Sequence, residues 1–229
     1  MSGGLRVVAT PIGNLGDLSQ RAIEALSEAD YWVVEDTRIS AKLAFHLGIK
    51  KPMRVMNDHT SPGQLAKYVD EIEAGANVAV ITDGGSPTVS DPGALLTDAC
   101  LNRGLSVSGV PGPCAAIYAL SVSGFFGQRF AFLGFLGRKA GAIRSELAPF
   151  ADSALTLILY ESPHRIETLL LAAHDALGSR RYAICRELTK AFEQIYRTDL
   201  PTIPTEIEVP RKGEITVVIE GRRRVRGVD

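Results

Sequence analysis

The stretch Ile81-Thr82-Asp83-Gly84-Gly85-Ser86-Pro87-Thr88-Val89-Ser90-Asp91-Pro92-Gly93 decides the predicted fold class. Residues 78–81 form a short, β-branched apolar run, which predicts a buried strand, and residues 94–101 predict a helix. Between them, adjacent glycines permit positive φ and close approach of the backbone to a ligand, while prolines stiffen the loop. A strand, a glycine-rich loop and a helix in this order predict a ligand-binding loop in an α/β protein.

Two interpretations of this loop stay open from composition alone. Gly-Gly-Ser-Pro and Asp-Pro-Gly are also ordinary turn sequences, and Asp91 could cap the following helix. The loop matches neither GxGxxG nor GxxxxGK[ST], and it has a carboxylate near each end, at Asp83 and Asp91. Because those carboxylates would repel a polyphosphate, a neutral or cationic ligand suits the loop better.

The rest of the chain alternates predicted strands with predicted helices. In the first half, strands are predicted at 5–9, 31–34, 53–56, 78–81 and 106–110, and helices up to about 27 (capped by Asp17 or Ser19) and at 40–47, 61–73 and 94–101. This alternation predicts an α/β domain with a parallel sheet. The composition changes after Pro111-Gly112-Pro113, so we predict domains at 1–113 and 114–229. The second domain is predicted to contain strands at 130–136, 155–160, 182–186, 192–196 and 214–220 and helices at 114–122, 142–150 and 166–177.

Polar residues follow the first-domain strands where a ligand is expected. In open parallel sheets, ligands collect beyond the carboxyl ends of the strands. Those ends carry Pro11 to Asn14, Glu35 to Arg38, Asp58-His59, Asp83 to Ser86 and Pro111 to Pro113. Taken singly, each has a plainer explanation: Glu35 and Arg38 could be a solvated ion pair, and His59 could bond only within its loop.

Composition and charge exclude several classes of protein. The chain has 229 residues, 45% of them hydrophobic, and 25 Lys and Arg against 26 Asp and Glu, so any RNA contact must use a local basic patch. The 3 cysteines and 4 histidines form no disulfide or zinc pattern. The sequence has no signal-peptide pattern and no apolar run long enough to span a bilayer. We therefore predict a cytoplasmic protein with no metal and no membrane partner.

A set of motifs, taken in order, resembles one family. The motifs are Ala9-Thr10-Pro11-Ile12-Gly13-Asn14-Leu15, Glu35-Asp36-Thr37-Arg38, the loop 83–93, Pro111-Gly112-Pro113-Cys114-Ala115-Ala116, Tyr160-Glu161-Ser162-Pro163-His164-Arg165, Arg186-Glu187-Leu188-Thr189-Lys190 and Lys212-Gly213-Glu214. Together they resemble the ribosomal small-subunit methyltransferase I family of the tetrapyrrole methylase superfamily. One departure is Gly84, which stands where that family commonly has Ala.

The resemblance implies a fold, a reaction and partners. It implies S-adenosylmethionine-dependent 2′-O-methylation of a cytidine ribose in the decoding region of 16S rRNA, in the 30S subunit, by a homodimer. It also implies two α/β domains with the methyl donor in the interdomain cleft. A sulfonium cation suits a glycine-rich loop flanked by carboxylates. By position, the donor would contact Pro11, Asp83, Gly84, Gly85, Ser86, Val89, Cys114, Ala115, Glu161 and Leu188.

Several polar residues near the expected donor site are candidates for catalysis. A ribose hydroxyl is a poor nucleophile, so a general base would help, and Asp36, Asp83, His59 and Glu161 are candidates. Arg38 and Lys190 could hold a phosphate or orient a carboxylate. We favour Asp36 with Arg38, and include Lys190 in the catalytic set.

A local basic patch is the hypothesis for RNA binding. Its members cluster at loop positions in an otherwise neutral chain, although a solvated basic face explains them equally well: Arg138, Lys139, Arg144, Arg165 and Arg186. The tail Arg222-Arg223-Arg224-Val225-Arg226 could also contact phosphates or remain a solvated end.

Other functions remain as alternatives. A methylase of the same superfamily could act on a tetrapyrrole, such as a precorrin or uroporphyrinogen, or could be of the diphthine type. A nucleotide-binding dehydrogenase is disfavoured because GxGxxG is missing. A non-catalytic ribosome-associated protein could retain the donor pocket as a relic.

Overall fold

A computed structural model describes residues 3–57, 59–90 and 93–223. Asp58 and Asp91, as well as the basic tail beyond Arg223, lie outside the described residues. The chain divides into two compact units, the first ending at Cys114 and the second beginning at Ala115. Within the described ranges, no helix has the length and apolarity needed to cross a membrane.

The first unit is built on a parallel sheet. Its elements are β1 (Gly4–Val8), α1 (Gln20–Glu28), β2 (Tyr31–Val34), α2 (Thr37–Leu47), β3 (Met53–Val55), α3 (Pro62–Glu73), β4 (Asn77–Val80), α4 (Ala94–Asn102) and β5 (Ser106–Val110). The strand order is β3-β2-β4-β1-β5, and every neighbouring pair is parallel. The predicted α/β class with a parallel sheet is confirmed.

Both faces of this sheet are covered, as its continuous apolar strands require. Successive side chains of a strand point to opposite faces. Tyr31 and Val33 accordingly join a core cluster with residues of α3 and α4, whereas Trp32 and Val34 join another with residues of α1 and α2. The helices cannot shift without exposing one of these clusters, so the strand ends are held in fixed positions.

Side-chain caps start the helices of the first unit. The Ser19 and Ser61 hydroxyls accept the N–H groups of Ala22 and Gln64, each at 3.2 Å. The predicted start of the second helix at residue 40 is wrong, because α2 begins at Thr37 with Asp36 as its N-cap. The polar residues Glu35 to Arg38 therefore form a helix start as well as a loop.

The second unit has a mixed sheet. Its elements are α5 (Ala115–Ser123), β6 (Phe130–Phe135), α6 (Ala140–Leu147), β7 (Thr156–Glu161), α7 (Ile166–Leu177), β8 (Arg181–Arg186), β9 (Gln194–Asp199) and β10 (Ile215–Ile219). The strand order is β6-β7-β10-β8-β9, with only β6 and β7 parallel. The last strand is thus inserted at the centre, where all five of its residues are buried. In register, Ile215 pairs with both Glu161 and Arg186, so the ends of β7 and β8 meet at one end of the sheet.

Candidate active site

Three loops of the first unit are tied together at the carboxyl ends of β1, β4 and β5. These strands are neighbours in the sheet, so the loops that follow them are adjacent. The N–H of Thr10 donates to the carbonyl of Gly85 at 2.9 Å, and the N–H of Gly85 donates to the carbonyl of Thr10 at 3.0 Å. The Ser86 hydroxyl donates to the carbonyl of Pro113 at 3.0 Å. Residues from all three predicted loops are therefore held in one place.

The two glycines of the central loop lie close to the loop that follows β1. Gly85 has φ +96°, and a Cβ there would lie 3.3 Å from Cγ2 of Ile12. A Cβ on Gly84 would lie 3.0 Å from the carbonyl oxygen of Pro11. The hydroxyl of Thr82 is buried and, among the described residues, has no hydrogen-bond partner. This arrangement offers a cradle of backbone and one unused polar group to a ligand.

Residues with strained backbone flank Val89, one of the predicted donor contacts in this loop. Thr88 and Ser90 have φ of 74° and 64°, and they flank Val89. Residues other than glycine adopt positive φ at a cost of about 1–3 kcal/mol, and such residues cluster at functional sites. The backbone of the loop is therefore shaped for something other than packing.

Two carboxylates of the first unit have opposite environments. The Arg38 guanidinium donates to both oxygens of Asp36, and the N–H of Arg38 donates to the same carboxylate, which lowers the pKa of Asp36 to about 2. The pKa of Asp83 is raised, first because part of its carboxyl is removed from water and also because the Asp36 charge repels it. The N–H of Asp36 and the Arg38 charge oppose that rise without cancelling it. Neighbouring carboxylates with separated pKa values are typical of sites that move protons.

In the second unit, Glu161 is a buried carboxylate at the end of β7. Its side chain accepts the N–H of Ser162 at 2.7 Å and lies 3.2 Å from the Arg165 guanidinium. The pKa of Glu161 is raised, because the effect of burial exceeds the opposing effects of Ser162 and Arg165. Arg165 also donates to the carbonyl of Gly137 at 2.9 Å, which fixes the start of the loop that carries Arg138 and Lys139.

An ion-pair network holds the loop after β8. The Lys190 ammonium lies 2.9 Å from a carboxylate oxygen of Glu187 and 2.9 Å from one of Glu214. Glu187 also accepts the N–H of Glu214 at 2.9 Å. We name these three side chains the β8-loop network; of the three, only Lys190 was predicted as a site residue.

The β8-loop network supports a strained backbone around Leu188. Glu187 and Thr189 have φ of 50° and 64°, and Leu188 between them is 6% exposed. Gly213 has φ +90°, and a Cβ on it would lie 2.6 Å from three atoms of the Glu187 side chain. The quoted motif Lys212-Gly213-Glu214 is thus explained, since only glycine leaves space for Glu187.

The predicted basic residues differ in how they are engaged. Arg144 pairs with Asp175 at 3.1 Å, and Arg186 donates to Gln194 and to the carbonyls of Phe192 and Lys212, each at 3.2 Å. Arg138 and Lys139 are exposed. Arg165 and Arg186 therefore have structural bonds in addition to their predicted role. Arg144 is exposed but paired, and no ion pair among the described residues involves Arg138 or Lys139.

The remaining candidates occupy simpler positions. Cys114 is half-buried at the end of the first unit, and Ala115 begins α5. His59 is exposed, and its N–H donates to the Asn57 side chain at 3.0 Å. In residues 3–57, 59–90 and 93–223, no three His, Cys, Asp or Glu side chains are grouped so that they could hold a metal ion.

Several solved structures have a fold similar to that of this chain. The methyltransferase CobJ superimposes with a TM-score of 0.70 at 17% identity, covering 98% of this chain and 97% of that one. Uroporphyrin-III-C-methyltransferase from Thermus thermophilus gives 0.65 at 21% identity (95% and 94%), and diphthine synthase gives 0.67 at 15% (96% and 90%). The family described as Tetrapyrrole (Corrin/Porphyrin) Methylases matches residues 4–204. The fold is therefore that of the tetrapyrrole methylases, and the chain belongs to that family.

Relatives with 39–42% sequence identity indicate a particular family among the tetrapyrrole methylases. A protein of Haemophilus influenzae named ribosomal RNA small subunit methyltransferase I is 41% identical over 97% of this chain and 80% of its own length. Proteins of the same name from Xylella fastidiosa and Escherichia coli are 42% and 39% identical over 96% of this chain, covering 82% and 79% of their lengths. The chain belongs to the ribosomal RNA small subunit methyltransferase I family. It is a methyltransferase whose donor is S-adenosylmethionine, as the motifs implied.

The residues of the first unit fit this donor. S-adenosylmethionine has a sulfonium cation and an amino-acid end, so it needs acidic neighbours and polar backbone groups. The cradle at Gly84 and Gly85 provides backbone edges, and Asp83 provides negative charge. The Thr82 hydroxyl has no hydrogen-bond partner among the described residues. No lysine follows the glycines to favour a polyphosphate instead.

Proposed function

We propose that the protein transfers a methyl group to the 2′-oxygen of a cytidine ribose in the decoding region of 16S rRNA, within the 30S subunit. The observation that supports the RNA substrate is the 39–42% identity, over nearly the whole chain, to proteins named for the small-subunit rRNA. The solved tetrapyrrole and diphthine enzymes are at most 21% identical, which supports a shared fold alone. The cytoplasm and a homodimer are part of the same proposal.

A comparison of acceptors tests the substrate class. The purified protein and methyl-labelled S-adenosylmethionine are incubated in three separate reactions. The first contains 30S subunits from a strain lacking the endogenous enzyme, the second contains 50S subunits, and the third contains uroporphyrinogen. We expect label only in the 30S reaction. Label in uroporphyrinogen, with none in 30S subunits, would replace the proposed substrate by a tetrapyrrole.

The proposed mechanism assigns each carboxylate a role. S-adenosylmethionine supplies an electrophilic methyl group on a sulfonium. Asp83 accepts the proton of the ribose 2′-hydroxyl as the oxygen attacks; its raised pKa makes it the stronger base of the pair. Asp36, with a pKa of about 2 and its bonds to Arg38, is a weak base and instead holds Arg38 beside Asp83. Asp36 and Arg38 remain in the proposed catalytic set, as does Lys190, whose part is to fix the β8 loop.

The glycine cradle gives a prediction for donor binding. Gly85→Ala places a Cβ at φ +96° against Ile12, which costs about 1–2 kcal/mol and disturbs the paired hydrogen bonds to Thr10. We expect Kd for S-adenosylmethionine, measured by calorimetry, to rise about tenfold or more. Gly104→Ala is the matched control, because Gly104 also has positive φ, +69°, but a Cβ on it would have no atom of the other described residues within 4 Å.

A second variant, Gly84→Ala, gives a comparison within the cradle. Gly84→Ala should bind the donor nearly as well as the parent, because φ at Gly84 is not positive and only the 3.0 Å contact with Pro11 must relax. If Gly85→Ala binds the donor as tightly as Gly104→Ala does, the cradle does not hold the donor.

A further inference from the structure

A second group of arginines lies at the end of the second unit opposite Glu161 and Arg186. The group surrounds the starts of β7 and β8 and the end of β10, and four members line a cavity of about 590 Å³. We call it the amino-end arginine surface: Arg129, Arg180, Arg181, Arg197, Arg222 and Arg223. The carboxylates that line the cavity are Asp152, Asp199 and Glu220. Four arginines therefore face three carboxylates in the cavity, and Arg129 and Arg197 add two more positive charges to the surface.

Most of the negative charge on this surface is already neutralised. Glu220 accepts two bonds from Arg181, at 2.7 and 2.5 Å, and a bond from Arg223 at 3.0 Å. Asp152 pairs with Arg222. Among the described residues, no ion pair involves Arg129 or Arg197, and both are exposed. An anion would therefore meet unopposed positive charge.

Arg180 adds a positive charge that cannot move away. The residue is 9% exposed, and its guanidinium donates to the carbonyls of Leu177, Ser153 and Glu220 at 3.3 to 3.5 Å, with a shorter bond to Ala151. All of these acceptors are uncharged carbonyls, so no hydrogen bond from the described residues neutralises the cation. Burial removes the guanidinium from water and so lowers the pKa of Arg180, although the Glu220 charge opposes the shift.

Aromatic rings order the exposed part of the surface. The guanidinium of Arg197 lies 4.9 Å from the ring centroid of Phe125, and that of Arg181 lies 5.2 Å from it. The next residue, Phe126, is 68% exposed, and its carbonyl accepts the Thr156 hydroxyl at 2.7 Å. Phe126 thus follows directly in sequence the ring that two arginines contact. Exposed aromatic side chains and arginines near one another are typical of sites that bind single-stranded nucleic acid, because bases stack on the ring and phosphates pair with the guanidinium groups.

We propose that the amino-end arginine surface binds the phosphate backbone of the RNA substrate, separately from Arg138 and Lys139. This inference depends on the proposed RNA substrate. The surface supplies charge for affinity and Phe126 for stacking, at the end of the sheet away from the methyl-transfer motifs. It would hold a single-stranded segment of the RNA at a distance from the modified nucleotide.

The test measures RNA binding as a function of salt. The double variant Arg129→Ala/Arg197→Ala removes two exposed charges without breaking an ion pair. The matched control Arg21→Ala/Lys50→Ala removes two exposed charges from the first unit. Binding of 30S subunits and of a single-stranded 16S rRNA fragment is measured over a range of KCl concentrations, with the melting temperature as a check of folding.

The slope of log K against log salt should fall by about 1.4 in the surface variant, since each single-strand phosphate contact contributes about 0.7. The slope should be unchanged in the control, and Arg129→Lys/Arg197→Lys should keep the parent value. Donor affinity should be unaltered in all three variants. A slope equal to that of the control overturns this inference alone, whereas a parent that neither binds 30S subunits nor methylates them overturns the proposed function as well.

Discussion

Asp83→Asn is expected to lower kcat/KM for 30S subunits by about 10²- to 10⁴-fold, the range that a general base contributes. The amide keeps the shape of the side chain but cannot take the hydroxyl proton. Asp36→Asn should lower kcat/KM by only about tenfold, because the amide can still cap α2 while its pairing with Arg38 is weakened. Single-turnover methylation with saturating donor measures both changes.

The pH dependence separates the two carboxylates. A base must be ionised, so activity should fall as the pH falls through the pKa of Asp83, which lies above the usual Asp value. Asp36, with a pKa of about 2, stays ionised over the same range, so Asp36→Asn should keep this acidic limb and Asp83→Asn should lose it. If Asp83→Asn retains the parent rate, another residue is the base; if Asp36→Asn methylates as fast as the parent, Asp36 leaves the catalytic set.

Gly213→Ala is expected to lower kcat/KM by about a hundredfold. The new Cβ would occupy the place of the Glu187 side chain, so Glu187 must leave its bonds to Lys190 and to the N–H of Glu214. Hydrogen bonds to charged groups contribute about 1.5–3 kcal/mol each, and positive φ for alanine adds about 1–2 kcal/mol. Leu188 would then no longer be held between its two strained neighbours.

Steady-state kinetics and calorimetric donor binding measure this effect. Gly178→Ala is the matched control, since Gly178 has φ +70° and a Cβ on it would have no atom of the other described residues within 4 Å. If Lys190 acts through Glu187, Lys190→Met should lower kcat/KM about as much as Gly213→Ala does. Lys190→Arg should keep much of the activity of the parent. A Gly213→Ala enzyme as active as Gly178→Ala would remove the β8-loop network from the site.

The sequence predicted the first unit well because its signals are local. Strands such as 31–34 are short apolar runs followed by polar residues, and caps such as Ser61 and Gly48 mark the helix ends. The helix over 40–47 was placed too late because Asp36 could be read equally as a loop residue or as a cap. Only the structure shows the hydrogen bond from the N–H of Arg38 that decides between them.

The arrangement of the second unit and of the site depends on distant contacts. Nothing in residues 214–220 indicates that β10 pairs with both β7 and β8, since register and strand order arise from packing. The network of Glu187, Lys190 and Glu214 joins two motifs that were quoted separately, and their proximity follows from that pairing. The different pKa shifts of Asp36 and Asp83 likewise come from neighbours that only the fold brings together.

Nucleoside analysis of the methylated rRNA tests the central claim most directly. 30S subunits from a strain lacking the endogenous enzyme are incubated with the protein and labelled S-adenosylmethionine, and the 16S rRNA is digested and separated by mass and retention. We predict label in 2′-O-methylcytidine, in a fragment from the decoding region, and labelling of that fragment that is slower by about 10²- to 10⁴-fold when Asp83→Asn replaces the parent. Label in a base-methylated nucleoside, or in 2′-O-methylcytidine elsewhere in the rRNA, would contradict the account.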